Sequence, residues 1–230
     1  MDRTVVLVHG AWHGAWCWEG VIPPLDAAGV PVVAVDLPSV SSPTATLHDD
    51  AACVRAALDA IDGEVVLVGH SYGGVVISEA GVHPRVAQLV YLCAFALDVG
   101  ESTQENSLTG GDGPSDLGAA IALADGVLTI DAEHGAAAFY HDCSPEAAGA
   151  AIARLRPQSF TALSGKVEAA AWREKPATYV VCTEDRALPV ALQRSNAARV
   201  GESIDWPTSH SPFLSRPELV AELLVELSSR

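Results

Sequence analysis

Gly69-His70-Ser71-Tyr72-Gly73 lies directly behind the apolar run Glu64-Val65-Val66-Leu67-Val68 and ahead of a stretch with helical character. A serine between two glycines, where a strand turns sharply into a helix, is forced into a strained backbone conformation that pushes its hydroxyl into open space. The glycines allow the close backbone approach that a Cβ would block. The first helical N–H groups sit beside the same hydroxyl and can stabilise a developing oxyanion. The chemistry implied is nucleophilic attack by Ser71. A serine needs a base, and the base needs an orienting acid. Of eight histidines, His210 lies in Thr208-Ser209-His210-Ser211-Pro212, between a last short strand and a last helix. Loops at the carboxyl ends of strands face the ligand crevice of a doubly wound sheet, so His210 is the candidate base. Asp185 follows the run Tyr179–Cys182 and is the candidate acid, in the chain order Ser71, Asp185, His210. Asp98 is a geometrically admissible substitute. Glu184 would point away if Asp185 points in, and Asp36 reads as a turn cap.

The oxyanion donors expected are two backbone N–H groups, one on Tyr72 and one on Ala11 in the loop after the first strand. That loop reads His9-Gly10-Ala11-Trp12-His13-Gly14-Ala15-Trp16. Trp12 and His13, with Tyr140 further along, are candidates to line a substrate pocket. Aromatic packing accounts for Trp16 and Trp18. It accounts less well for two glycines and two histidines within six residues. His70 is expected to pack or hydrogen-bond beneath the turn. No metal is expected: there is no H-E-x-x-H, and His9 and His13 sit on a turn rather than on one helix face. No cofactor is expected either, since neither a G-x-G-x-x-G nor a G-x-x-x-x-G-K-[ST] loop occurs.

The elements that must position these residues are legible as alternating periods. Thr4–His9, Pro31–Pro38, Glu64–Val68, Val86–Phe95, Ala177–Cys182 and Ser203–Trp206 read as strands. Most are apolar on both faces. Residues 15–28 (shortened or kinked by Pro23 and Pro24), Leu47–Ile61, Tyr72–Val82, a stretch after Pro189 and Pro217–Leu227 read as helices. Buried strands alternating with helices specify an α/β fold: a doubly wound, mostly parallel sheet with helices on both faces. The stretch at about 98–165 differs. It has no strong strand, an evident loop at Gly110-Gly111-Asp112-Gly113-Pro114, and an Ala-rich helix over Pro145–Leu155 behind a Ser144 cap. It reads as a small helical cap over the site, inserted into one domain spanning 1–230.

Composition limits the remaining options. The chain has 230 residues, enough for one α/β domain of roughly 200–250 residues. Its net charge of -16 disfavours nucleic acid and anionic membrane surfaces as partners. Five cysteines without C-x-x-C spacing do not read as a disulfide framework. There is no leader pattern and no apolar run of about 18 residues. A cytoplasmic protein is expected, with a small-molecule partner. The sequence leaves room for a homodimer.

Together, Val8-His9-Gly10-Ala11-Trp12-His13-Gly14-Ala15-Trp16-Cys17-Trp18, Gly69-His70-Ser71-Tyr72-Gly73-Gly74, Cys182-Thr183-Glu184-Asp185 and Ser209-His210-Ser211-Pro212 resemble the α/β-hydrolase superfamily. The resemblance is nearest to the branch holding plant methylesterases, hydroxynitrile lyases and their bacterial esterase relatives. It implies a Ser71–Asp185–His210 triad, an oxyanion hole at Ala11 and Tyr72, and small apolar carboxylic esters as substrates. Phe139–Pro145 resembles part of the small helical lid of bacterial members. Hydroxynitrile lyases of one stereochemistry carry a first-loop threonine and a lysine after the catalytic histidine, and those of the other carry a first-loop asparagine. Here Gly10 and Ser211 stand at those places, against lyase chemistry. Dehalogenases and epoxide hydrolases of this fold use an aspartate nucleophile, and Ser71 argues against both. A lactone, a thioester or a C–C bond beside a carbonyl would pass through the same oxyanion. Two other classes stay open: a small-molecule receptor keeping the pocket, and cofactor-free oxygen chemistry that uses the base alone.

Overall fold

The computed structural model describes residues 3–109 and 115–230. The chain opens with β1 (Thr4–Val8), a 3₁₀ turn at Ala15–Trp18, α1 (Ile22–Ala27), β2 (Val32–Val35), α2 (Leu47–Asp59), β3 (Val65–His70), α3 (Gly73–Ala80) and β4 (Val86–Leu92). An excursion follows: α4 (Thr103–Thr109), α5 (Leu117–Ala120), β5 (Ile121–Ala124), β6 (Val127–Ile130), α6 (Ala132–Phe139), α7 (Pro145–Ile152), β7 (Gln158–Ser159) and α8 (Phe160–Ser164). The chain then returns through β8 (Ala177–Cys182), α9 (Val190–Val200), β9 (Glu202–Trp206), α10 (Pro212–Ser215) and α11 (Pro217–Ser228).

The main sheet has six parallel strands in the order β2-β1-β3-β4-β8-β9. Side chains alternate along each strand, so Val5, Leu7, Val66 and Val68 enter one apolar core and Val6, Val8, Val65 and Leu67 enter the other. Leu25, Val220 and Leu224 from α1 and α11 share the first core, and Val54, Leu58, Val75 and Val76 from α2 and α3 the second. Both faces are therefore covered, as the continuous apolar strands require. A capping box starts α2: Thr46 accepts from the Asp49 N–H, and Asp49 accepts from the Thr46 N–H.

The stretch at 15–28 is not one helix. It splits into the 3₁₀ turn and α1, with Pro23 and Pro24 in the first turn of α1, where their missing N–H groups cost nothing. The expectation of a purely helical insertion is also corrected. β5, β6 and β7 form a three-stranded antiparallel sheet between β4 and β8. The β5–β6 turn is Asp125-Gly126, both at left-handed φ (51° and 78°), a dipeptide suited to the tight primed hairpin turn. α4 lies just ahead of the Gly110–Pro114 stretch and was not read from the sequence. The Gly110–Pro114 loop lies outside the described residues.

Candidate active site

Ser71 is the first residue past β3 and has φ 52°. A non-glycine residue there costs about 1–2 kcal/mol and persists only if neighbours over-determine it. The end of β4 and the chain just past it do so: the Ser71 N–H donates to Leu92 O (3.2 Å) and the Phe95 N–H donates to Ser71 O (3.2 Å). The glycines set the packing. A Cβ on Gly69 would lie 2.5 Å from Gly73 O, and one on Gly73 would lie 2.6 Å from Val8 O. Only bare backbone lets α3 start this close to β1 and β3.

Asp185 lies past the end of β8 and His210 past the end of β9, and both are buried. His210 Nδ1 is 2.6 Å from Asp185 Oδ2. An ionised carboxylate only accepts, so Nδ1 carries the proton and a neutral ring leaves Nε2 basic. Asp185 is held by three further donors: the Ala187 and Leu188 N–H groups on Oδ1 (2.7 and 2.9 Å) and Gln193 Nε2 on Oδ2 (2.8 Å). Gln193 is fully buried at the start of α9. It also accepts from the Cys182 N–H at the end of β8 (2.9 Å). His70 Nε2 donates to the His210 carbonyl (2.8 Å), which holds the backbone of that loop. Burial pushes the His70 imidazole well below its ordinary value.

Two adjoining cavities meet at Ser71. One, of about 300 Å³, is lined by Ser71, His210, Leu117, Ile121, Leu188 and Leu192 among others. The other, of about 250 Å³, is lined by Ser71, Ala11, Trp12, Tyr72, Leu128 and Phe160 among others. The backbone N–H groups of Ala11 and Tyr72 carry no protein hydrogen bond among the described residues. The Tyr72 phenol donates to Asp50 Oδ2 (2.8 Å), and Asp50 Oδ1 accepts from the Ser39 N–H (2.9 Å). Burial raises the pKa of the Asp50 carboxyl and lifts the Tyr72 phenol well above its ordinary value.

Two of the three candidate pocket residues lie elsewhere. Trp12 lines the second cavity, while His13 and Tyr140 are buried behind it and bonded to one another (Tyr140 Oη to His13 Nε2, 2.7 Å). The rings of Trp16, Phe139 and Phe213 pack on His13, and it lines neither cavity. Asp98 is engaged with the Arg173 guanidinium and is not part of the cavity wall. Asp36 accepts two hydrogen bonds from Arg156 (2.8 and 2.6 Å) and one from the Ala15 N–H (3.0 Å). Gln193 and Asp50 were not singled out from the sequence. Each is a polar residue on the buried stripe of its helix, beside Leu192, Asn196 and Ala197 in one case and Leu47, Ala51 and Val54 in the other. A polar side chain on an apolar stripe was the available signal.

A serine at positive φ on a strand-to-helix turn, in a six-stranded parallel sheet with His210 and Asp185 at later strand ends, defines the α/β-hydrolase architecture. A model described as the alpha/beta hydrolase family matches residues 5–223, and the chain belongs to that family. Among its relatives, the alpha/beta hydrolase nvfD of Aspergillus novofumigatus is 33% identical over 97% of this chain and 96% of its own length. Methylesterase 7 of Arabidopsis thaliana is 31% identical over 100% of this chain and 97% of its own. The crystal structure of a pyrethroid hydrolase from Sphingobium faniae superposes with a TM-score of 0.85 at 26% identity, covering 100% of this chain and 98% of the other. No helix among the described residues is long and apolar enough to cross a membrane.

Proposed function

We propose that this α/β-hydrolase is a serine carboxylesterase acting on small apolar esters. Ser71 Oγ attacks the acyl carbon while His210 Nε2 takes its proton. Asp185 keeps the imidazole in the required tautomer and stabilises the imidazolium. The Ala11 and Tyr72 N–H groups bind the oxyanion. His210 then protonates the leaving alcohol and activates the water that frees the acyl-enzyme. The observation that carries this reading is the 2.6 Å His210–Asp185 bond beside a cavity that Ser71 enters from a strained turn. The names of the relatives, a methylesterase and a pyrethroid hydrolase among them, agree with ester cleavage.

The leaving oxygen must lie next to His210, so the cavity lined by His210, Leu188 and Leu192 takes the alcohol part. The cavity lined by Ala11, Trp12, Leu128 and Phe160 takes the acyl part. The excursion at about 98–165 contributes walls to both and acts as the cap of a single domain. An organophosphorus serine probe tests this directly. Mass spectrometry is expected to find the adduct on Ser71, with loss of p-nitrophenyl ester turnover in proportion to labelling. An unlabelled Ser71 together with tight binding of intact esters would instead make the protein a receptor.

A further inference from the structure

We propose that the turn between α6 and α7, residues 140–144, clamps the acid and base loops together, with His141 and Asp142 as positioning residues for Asp185 and His210. This rests on the reading of His210 as the base and Asp185 as its acid. The two side chains come from separate loops, past the ends of the neighbouring strands β8 and β9. Their 2.6 Å bond therefore depends on how the loops are spaced. A trans peptide is a rigid plane, so bonds at both its C=O and its N–H fix its orientation. The peptide joining Glu184 to Asp185 is held in this way. Glu184 O accepts from His141 Nε2 (2.8 Å), and the Asp185 N–H donates to Cys182 O (3.3 Å). The peptide joining Thr208 to Ser209 is held likewise. Thr208 O accepts from the Glu184 N–H (3.1 Å), and the Ser209 N–H donates to Asp142 Oδ2 (2.9 Å). One end of each pinned plane is gripped by the cap, and the Glu184 N–H ties the two loops to one another.

Ser209, fully buried, carries the clamp on to the base. Its Oγ donates to Phe139 O (3.2 Å), a carbonyl at the C-terminal end of α6, where helical partners run out. The same Oγ accepts from the Ser211 N–H (3.3 Å), so the residues on either side of His210 share a hydroxyl that the cap holds. The Phe139 ring stacks on the His210 imidazole, with centroids 5.7 Å and planes 30° apart. The main sheet supplies its own grip: His210 O accepts from His70 Nε2 (2.8 Å) and from Cys93 Sγ (3.3 Å). The base is thus held by the strand ends and by the cap together. A backbone carbonyl only accepts, so His141 Nε2 carries the proton that meets Glu184 O. The cap is then more than a wall of the cavities. A cap that lifted away from the sheet would release one peptide of the acid loop and one of the base loop.

Steady-state kinetics with a p-nitrophenyl ester, together with the rate at which an organophosphorus probe inactivates the enzyme, test the clamp. Asp142 is exposed, so Asp142→Ala removes the acceptor of the Ser209 N–H without opening the core. It is expected to lower kcat and the inactivation rate about 10-fold and to leave KM within about twofold. Asp142→Asn keeps an acceptor oxygen and is expected to recover at least half of the kcat lost in Asp142→Ala. His141→Gln keeps an N–H donor where Nε2 stood and is expected to exceed His141→Ala in kcat by about threefold or more. Unchanged kcat and inactivation rate in either alanine variant, or a fall in melting temperature with kinetics intact, would overturn the proposal. So would equal losses in Asp142→Asn and Asp142→Ala. Mass spectrometry of the wild type after the probe separates the two levels. An unlabelled Ser71 removes the esterase reading itself. A labelled Ser71 with a normal Asp142→Ala removes only the clamp.

Discussion

At the scale of single residues, Asp185 has the most heavily constrained carboxylate of the site, with four hydrogen bonds drawn from His210, Gln193 and two backbone amides. That saturation keeps it an acceptor towards Nδ1. Asp185→Asn would present either an amide donor or a weaker acceptor there and favour the wrong tautomer, so kcat for a p-nitrophenyl ester is expected to fall about 10³–10⁴-fold with the protein still folded. Gln193→Leu strips one bond from Asp185 and strands the buried Cys182 N–H. It is expected to cost about 1–3 kcal/mol in urea denaturation, and an unchanged midpoint would contradict that structural role. Ser71, Asp185 and His210 were legible because each belongs to a short run at a recognisable strand end. Gln193 and Asp50 were not, because a polar helical residue looks the same in one dimension whether it faces water or a buried partner. His13 and Tyr140 were legible as members of the site's neighbourhood. Their mutual bond joins residues 127 positions apart and has no local signature.

At the scale of elements, the strands of the main sheet were readable from their unbroken apolar runs, since a strand buried on both faces leaves no room for polar alternation. The turn after β3 was readable from its glycines. Gly73→Ala is expected to destabilise the protein by about 3 kcal/mol or more, because the added Cβ meets the carbonyls of Val8 and His9, which are backbone and cannot yield. A melting temperature within a degree of the wild type would contradict that packing. The β5–β6–β7 sheet of the excursion was missed for two reasons. Ile121-Ala122-Leu123-Ala124 has the composition of a helix, and β7, the second partner of β6, comes only after two intervening helices. The Asp125-Gly126 turn was the local cue.

At the scale of the whole molecule, the first loop and the elbow concentrate three buried neutral histidines. Burial lowers His9 to about 4, His13 to about 3 and His70 well below its ordinary value. In the unfolded chain each would titrate near 6.5. Below that pH the unfolded state takes up protons that the native state cannot, so native stability is complete above pH 6.5 and falls as pH drops. The loss approaches about 1.4 kcal/mol per pH unit for each histidine, down to about pH 4, where His9 begins to charge in place. Asp50 runs the other way, because its raised pKa favours the native state in acid, but it is one group against three. Urea midpoints at pH 7.5, 6.5, 5.5 and 5.0 are expected to fall slightly across the first pair, where the unfolded histidines begin to protonate, and to decline more steeply through the rest. A flat profile down to pH 5.0 would mean that these rings are solvated.

The strain at Ser71, its grip by β4 and the cavities that meet at its side chain all point to this hydroxyl as the nucleophile. Turnover of a p-nitrophenyl ester by purified Ser71→Ala, compared with wild type at matched circular dichroism, is the most direct measurement. A folded variant whose kcat has fallen to the uncatalysed background is the predicted result. Turnover at the wild-type rate would contradict nucleophilic catalysis by Ser71.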